Sequence, residues 1–299
     1  MEIKDILSAF GIHAAEAIGQ IYRSAWEVDG TYILKSSSDR EQLEKSVLLS
    51  DLLRKEGVPV PEYVRTPGGK PFVLANDTHY VLMKKIGGRC LDPYEGNPHE
   101  TGVLLGRLLA RLHLALGKIE GQVASYDADY MRELDEWIMP RIRENHVRVS
   151  PKIVEYCHSF GPLYKTLPRQ LIHRDTHLGN MLFMGETLAG WLDFDMSQKN
   201  ARLHDLCYMG ACMLVGNYRK RRRLRIWREL FRGVLHGYNE MRALTESELK
   251  AVPYMFVFIE LTFTAFYAQH GDHGKTASCA DMTAWLYRHR DKIASLAKL

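Results

Sequence analysis

His173-Arg174-Asp175-Thr176-His177-Leu178-Gly179-Asn180 places a carboxylate and a carboxamide five positions apart, behind a histidine and an arginine. Thirteen residues beyond Asn180 comes Leu192-Asp193-Phe194-Asp195, a further source of anionic oxygen. Amide and carboxylate oxygens are the ligands a small hard cation prefers. A carboxylate of ordinary acidity can also meet a hydroxyl and take its proton, provided the proton leaves late. The four residues between Asp175 and Asn180 leave room for a loop that turns both side chains to one purpose.

The His-x-Asp-x4-Asn spacing is that of a kinase catalytic loop. Phosphoryl transfer asks a protein for positioning and charge neutralisation more than for covalent chemistry. Asp175 is therefore the expected catalytic residue, and Asn180 and Asp193 the expected Mg²⁺ ligands. Asp195 is left open between a second ligand and a loop acid that bonds backbone. His173 reads as support packed under the loop. The His173/His177 pair has zinc spacing only on a helix, and this segment reads as a loop. Upstream, Tyr32-Ile33-Leu34-Lys35 ends a strand on a lysine suited to nucleotide phosphates, with Glu44 on the next helix as its expected partner and Glu41 as the fallback. A phosphate-covering loop around Gly19-Gln20-Ile21-Tyr22-Arg23-Ser24 holds one glycine. Its expected contacts are backbone amides and Ser24.

Composition sets bounds on the rest. The chain has 299 residues, 46% apolar and 25% charged, with a formal charge of +4, an ordinary globular profile that does not call for nucleic acid. Glu2 and Asp5 interrupt any signal-peptide pattern, and the longest apolar run, residues 254–268, contains Glu260 and is short for a bilayer, so no membrane insertion is expected. Five cysteines, Cys90, Cys157, Cys207, Cys212 and Cys279, show no Cys-x-x-Cys spacing and suit reduced thiols in a cytoplasmic protein.

Periodicity gives the organisation. Residues 21–28 and 32–35 read as a hairpin about Asp29-Gly30, and residues 39–55 as a helix with Leu43, Val47, Leu48 and Leu52 on one face. Strands at 71–74 and 80–84 flank Asn76-Asp77. Beyond Gly87-Gly88 the pattern turns helical: Thr101 to Leu116 is amphipathic, a stripe runs from Leu224 to Tyr238, and Thr245-Glu246-Ser247-Glu248 has the form of a capping box. The expected class is α+β, with residues 1–86 as a small antiparallel-sheet lobe carrying one main helix. Residues 87–299 form a larger, mostly helical lobe with the catalytic loop and acceptor site. Aromatics crowding 254–287 are expected in the core, with an aromatic cage for an ammonium group as the alternative. The run Arg219-Lys220-Arg221-Arg222-Arg223-Leu224-Arg225 reads as a solvated loop and first helical turn, or else as an anion-docking surface.

These residues together resemble the aminoglycoside phosphotransferase, choline kinase and type II homoserine kinase group. The resemblance runs in order through Tyr32–Lys35, Val58-Pro59-Val60-Pro61, Leu109-Ala110-Arg111-Leu112-His113, His173–Asn180, Leu192–Asp195 and Asp205-Leu206. It implies a bilobed protein-kinase-like fold with ATP between the lobes and the acceptor on the helical lobe. By position, Asp175 looks like the catalytic acid/base, and Asn180 and Asp193 like Mg²⁺ ligands. Lys35 with Glu44 looks like the phosphate-binding pair, and Asp205 like the brace of the catalytic loop. Met83, Lys84, Lys85 and Ile86 would form the hinge for adenine. The chain departs from many relatives in two places: Arg174 stands where they carry glycine, and Glu44 follows Lys35 by only nine residues.

The expected function is ATP- and Mg²⁺-dependent transfer of the γ-phosphoryl group to a hydroxyl of a small molecule, by a monomer or homodimer. The alternative is a catalytically weak kinase-like binding or scaffold protein. A protein kinase is a poor fit, because Asp195 replaces the glycine of Asp-Phe-Gly and no Ala-Pro-Glu segment is present. From Ala201 to Leu299 there are 16 Lys/Arg against 9 Asp/Glu, a balance of +7. That excess favours a neutral, zwitterionic or anionic acceptor over a polycationic one.

Overall fold

The computed structural model describes residues 2–298. Helix α1 (Ile3–Ala9) leads into strands β1 (Ile18–Tyr22), β2 (Ala25–Val28) and β3 (Tyr32–Ser37). Helix α2 (Arg40–Lys55) is followed by β4 (Tyr63–Val64), β5 (Val73–Ala75) and β6 (Thr78–Lys84). Helices α3 (Pro98–Ile119), α4 (Tyr130–Glu133), α5 (Met139–Glu144), α6 (Pro151–Ser159) and α7 (Gly161–Tyr164) come next. Four short strands, β7 (Arg169–Ile172), β8 (Met181–Met184), β9 (Thr187–Trp191) and β10 (Gln198–Ala201), precede the last helices. These are α8 (Leu203–Leu214), α9 (Arg221–Met241), α10 (Glu246–Gln269), α11 (His273–Arg288) and α12 (Arg290–Ala294). The fold is α+β, with an antiparallel sheet near the N-terminus and helices dominating the remainder.

Two compact units divide the chain. The first holds residues up to Leu91 together with Lys118–Ala124 and Gly179–Met196; the second holds Asp92–Gly117, Ser125–Leu178 and the residues from Ser197 onward. Gly87-Gly88 stands just before the end of the first stretch. The two later returns to the first unit have no counterpart in the sequence pattern.

In the first unit the strands run in the order β1-β2-β3-β6-β4, with β5 also paired to β6, all antiparallel. Paired residues share a face, so the period of two sorts the side chains. Leu34 pairs with Leu82, and both are buried against Ile6, Leu7 and Phe10 of the α1 side. Lys35 pairs with Val81, which is buried with Leu43 and Val47 of α2. The register alone therefore aims Lys35 at the α2 face. The tight turns fall where expected, with positive φ at Asp29, Gly30, Asn76 and Asp77, residue types that tolerate the left-handed region.

Two sequence expectations need correction here. The run 21–28 is two strands that turn at Arg23-Ser24, with a register shift between Gln20 and Tyr22. Leu48 is 40% exposed, whereas Leu43, Leu49, Leu52 and Leu53 are the buried leucines of α2. At about 100° per residue, Leu48 lies roughly 140° round the helix from Leu43.

The hairpin β8–β9 belongs to the first unit and is tied to it by backbone. Trp191 N donates to Pro59 O at 2.9 Å, and Arg89 exchanges backbone hydrogen bonds with Phe183 at 3.0 and 2.9 Å. Gly88, at φ +126°, makes this approach possible, since a Cβ there would lie 2.8 Å from Phe183 O.

The second unit is built on close helix contacts. Helices α3 and α9 cross through Gly102 and Gly106 on one and Gly233 and Gly237 on the other. A Cβ on Gly106 would lie 2.1 Å from Val234 O, and one on Gly237 2.1 Å from Val103 O. The stripe of α9 is buried as expected, from Trp227 to Tyr238, and Thr245 caps α10 in a capping box with Glu248. Glu248 also holds Arg202 in a buried fork of 2.7 and 2.8 Å. Among the described residues α10 is the one helix long and apolar enough to cross a membrane, and 72% of that window is buried within the protein. The aromatics of 254–287 divide: Phe256 and Phe258 are buried, whereas Phe266 is 41% exposed. In the basic run, Arg219 pairs with Asp281 and Arg223 lies over the Tyr94 ring.

Candidate active site

In the first unit, Lys35 reaches two carboxylates 158 and 160 residues further along the chain. Its Nζ lies 3.0 Å from Asp193 Oδ1 and 2.6 Å from Asp195 Oδ2. Burial alone would depress the ammonium's pKa; Asp195 and then Asp193 outweigh it, and the net direction is upward. Asp195 spends its second oxygen on Ser46 of α2, whose hydroxyl donates to Oδ1 at 2.7 Å. Asp193 sits at φ +59°, a left-handed conformation that costs a non-glycine residue energy. Its side chain is 45% exposed.

Asn180 opens the β8–β9 hairpin and Asp193 follows it. The backbone closes the pair: Leu192 N donates to Asn180 O at 2.9 Å. Two residues separated by 13 positions are thereby brought to the same end of one hairpin. Asn180 is 7% exposed. Burial, and then the carboxylates of Asp195 and Asp193, push the phenol of Tyr63 upward, which places that ring in the same electrostatic neighbourhood.

The expected Lys35–Glu44 pair does not form. Glu44 bonds Arg40 on the helix surface at 2.9 Å, one turn away. The buried stripe of α2 runs through Leu43, Ser46, Val47 and Ser50. Glu44 lies about 160° from Ser46 by helical rotation, so it faces away. Glu41, the fallback, is exposed. Ser24 is exposed in the β1–β2 turn, where its carbonyl accepts from Ser36 N at 2.8 Å. In the segment expected to meet adenine, Met83 pairs with Ile33 and Tyr63 within the sheet. The backbone N–H groups of Lys84 and Lys85 already donate to Glu62 O and Thr31 O, and their side chains pair with Glu62 and Glu27.

In the second unit, Asp175 is held by its neighbours on the loop and on α8. Tyr208 Oη donates to its Oδ1 at 2.7 Å, His177 Nε2 lies 3.5 Å from its Oδ2, and its own N–H donates to His173 Nδ1 at 3.2 Å. Burial would raise this carboxyl's pKa, but the hydrogen bonds from His177 and Tyr208 win and bring it down to about 2. It is a carboxylate at every working pH.

Beneath it, Asp205 is fully buried and accepts from His173 N at 2.9 Å, Arg174 N at 2.8 Å and His113 Nε2 at 2.9 Å. Burial pushes Asp205 up; His113 and the neighbouring histidines pull it down further, and the net shift is downward. Burial leaves His113 neutral, and its Nδ1 accepts from Tyr238 Oη at 2.8 Å. Arg174 carries φ +70°, the conformation glycine adopts without strain. Its carbonyl accepts from His204 Nε2 at 3.3 Å, and Tyr130 Oη bonds the other ring nitrogen. Burial lowers His204 to about 4, so the ring is neutral and can donate in one direction while accepting in the other. Tyr208, His204 and Tyr130 were not singled out from the sequence. Their one visible signal is the position of His204 and Tyr208 beside Asp205 on α8.

The antiparallel sheet followed by a mostly helical remainder, with a sheet lysine bonded to two carboxylates that follow the β8–β9 hairpin, is a protein-kinase-like architecture. Residues 13–244 match the APH phosphotransferase enzyme family, and the chain belongs to it. It is 25% identical over 246 residues to the homoserine kinase of Methylobacillus flagellatus, covering 79% of this chain and 72% of that one. It is 28% identical over 232 residues to the homoserine kinase of Zymomonas mobilis, covering 74% and 68%. Among solved structures it resembles a microcompartment-associated aminopropanol kinase at TM-score 0.69 and 18% identity, with 98% of each chain covered. It resembles wild-type aminoglycoside 2'-phosphotransferase-IIIa in its GDP complex at TM-score 0.70 and 16% identity, with 96% of each covered. At these identities the solved structures establish the fold.

Proposed function

We propose that this enzyme uses Mg-ATP to phosphorylate the hydroxyl of a small amino alcohol or a related hydroxylated metabolite. The observation that carries the reading is the Lys35–Asp193 contact, an ammonium and a carboxylate 158 residues apart in the chain and adjacent in the fold. Lys35 binds nucleotide phosphate, as an ammonium on a sheet can. Asn180 and Asp193 would hold the cation through hard oxygen atoms, which fits the chemistry of both side chains. Among the described residues no group of three or more His, Cys, Asp or Glu is arranged for a metal. Two protein oxygens accord with a Mg²⁺ that keeps its water and phosphate ligands. Bound there, the cation would neutralise charge on the phosphates.

Asp175 accepts the hydrogen bond of the acceptor hydroxyl and orients its lone pair. With a pKa of about 2 it is a weak base, and it takes the proton only as the acceptor oxygen bonds to the γ-phosphorus and the bond from that phosphorus to the β–γ bridging oxygen breaks, releasing ADP. The relatives named for homoserine and aminopropanol act on molecules bearing both an amine and a hydroxyl. The +7 balance from Ala201 to Leu299 supports an acceptor of that kind over a polycation.

Incubation with labelled ATP and a panel of amino alcohols, hydroxy amino acids, sugars and aminoglycosides tests the reading. Labelled phosphate should appear on an amino alcohol or hydroxy amino acid and depend on Mg²⁺. Transfer confined to aminoglycosides, or to no acceptor, contradicts it.

A further inference from the structure

We infer that Asp195, anchored by Ser46, is the residue that positions Lys35 for the nucleotide, in place of a glutamate from α2, and that it does so without ligating the cation. The inference rests on the proposed Mg-ATP chemistry and divides the two carboxylates of Leu192-Asp193-Phe194-Asp195 into separate roles.

The division follows from how each carboxylate is spent. Asp195 is the more enclosed, with a side chain 20% exposed, and both of its oxygens are committed: Oδ2 to Lys35 at 2.6 Å and Oδ1 to Ser46 at 2.7 Å. Asp193 is 45% exposed and meets Lys35 through Oδ1 alone, at the longer distance of 3.0 Å. A cation drawn to this place takes the open carboxylate, and Asp193 is then shared with a dication. Lys35 needs another anion at that moment, or its partly buried ammonium is left with phosphate alone to fix its position. Asp195 supplies it.

Ser46 explains why α2 needs no glutamate here. It lies on the buried stripe of the helix, 3% exposed, and its hydroxyl donates to the carboxylate whose other oxygen holds the Lys35 ammonium. The helix thus restrains Lys35 through an intermediary. The same geometry makes Asp195 a poor metal ligand, because coordination would have to displace an ammonium or a hydroxyl already in place.

The variants Asp195→Asn, Ser46→Ala, Ser46→Thr, Asp193→Asn and Glu44→Gln test this by two readouts on the full chain. One is kcat and ATP KM for the best acceptor; the other is Mn²⁺ affinity of the enzyme–ADP complex by electron paramagnetic resonance. Asp195→Asn should lower kcat about a hundredfold and leave Mn²⁺ affinity within twofold, while Asp193→Asn weakens Mn²⁺ at least tenfold. Ser46→Ala should lower kcat three- to tenfold, Ser46→Thr should restore it, and Ser46→Ala should add nothing in the Asp195→Asn background. Glu44→Gln should stay within twofold of the parent. A tenfold loss of Mn²⁺ affinity in Asp195→Asn would falsify the division of roles, as would near-normal kcat in that variant or a large loss in Glu44→Gln. If Asp195→Asn fails to fold, the Ser46→Ala and Ser46→Thr pair decides the point. A parent chain that transfers no phosphoryl group defeats the underlying reading instead, and the Mn²⁺ comparison still shows which aspartate binds the ion.

Discussion

Tyr208 Oη donates to Asp175 Oδ1 at 2.7 Å from the next turn of the helix that carries Asp205. The same helix thus fixes the loop that begins at His173 from below through Asp205, and the Asp175 carboxylate's orientation from the side. Removing the hydroxyl in Tyr208→Phe takes away one hydrogen bond to a charged group, worth about 1.5–3 kcal/mol. The Asp175 carboxylate is favoured above its folded pKa, and that pKa should rise in the variant. In the parent the acid limb of kcat due to Asp175 should lie below pH 3, outside the usable range. In Tyr208→Phe it should move upward, with kcat about tenfold lower at neutral pH. A pH–kcat profile from pH 4 to 9 checks both.

Glu260 gives the opposite sign. It is buried on α10, its Oε2 has no hydrogen-bond partner, and burial raises its pKa to about 8 against a weaker lowering by Cys279. The folded state therefore holds a proton there that the unfolded chain releases near pH 4.5. Stability from this group is full below about pH 4.5 and is lost as pH rises towards 8, by at most about 1.4 kcal/mol per unit. Glu260→Gln keeps the shape without the titration. Its melting temperature should exceed the parent's by a margin that widens from pH 5 to pH 8 and then levels off.

Arg202 and Glu248 form a buried fork, 5% and 0% exposed. Such a pair adds little net stability against an apolar replacement of both partners, yet breaking it strands a charge. Arg202→Met should cost about 3–5 kcal/mol in denaturant unfolding. The double variant Arg202→Met, Glu248→Leu should recover part of that loss, less the capping contribution of Glu248 at Thr245.

The crossing of α3 and α9 makes a prediction of a different kind. A Cβ at Gly106 would meet Val234 O, a backbone atom that no rotamer change can move. Gly106→Ala, normally a gain in helix propensity, should instead destabilise by about 1–3 kcal/mol or more. Gly117→Ala on the same helix is the control: its nearest foreign atom is a side-chain oxygen 4.0 Å away. That change should be neutral or slightly stabilising.

What could be read from the sequence was local. Turn residues such as Asn76-Asp77, the capping box at Thr245 and the stripe of α9 announce themselves within a few positions. The spacing from Asp175 to Asn180 named the chemistry in the same way. What could not be read depends on register between distant elements. Ser46 replaces Glu44 as the residue facing the sheet because the phase of α2 is set by Leu43 and Val47 packing on Val81, a contact 34 residues away in the chain for Val47. The β8–β9 hairpin joins the first unit through hydrogen bonds to Pro59 and Arg89, which no periodicity reveals. Gly102, Gly106, Gly233 and Gly237 were passed over because a glycine in a helix reads as a weakness until its partner helix is known. Arg174 is the reverse case: the residue stands in plain view in the sequence, but its φ of +70°, a conformation glycine adopts without strain, is visible only in the fold.

The most direct test compares Asp175→Asn with the parent on the best acceptor, measuring kcat for labelled phosphate transfer alongside ATP affinity. The substitution preserves shape and abolishes the charge that meets the hydroxyl. A kcat at least about a thousandfold lower, with ATP affinity within threefold, is the expected result. Retention of a tenth or more of the parent's kcat would contradict the assignment of Asp175 and the mechanism built on it.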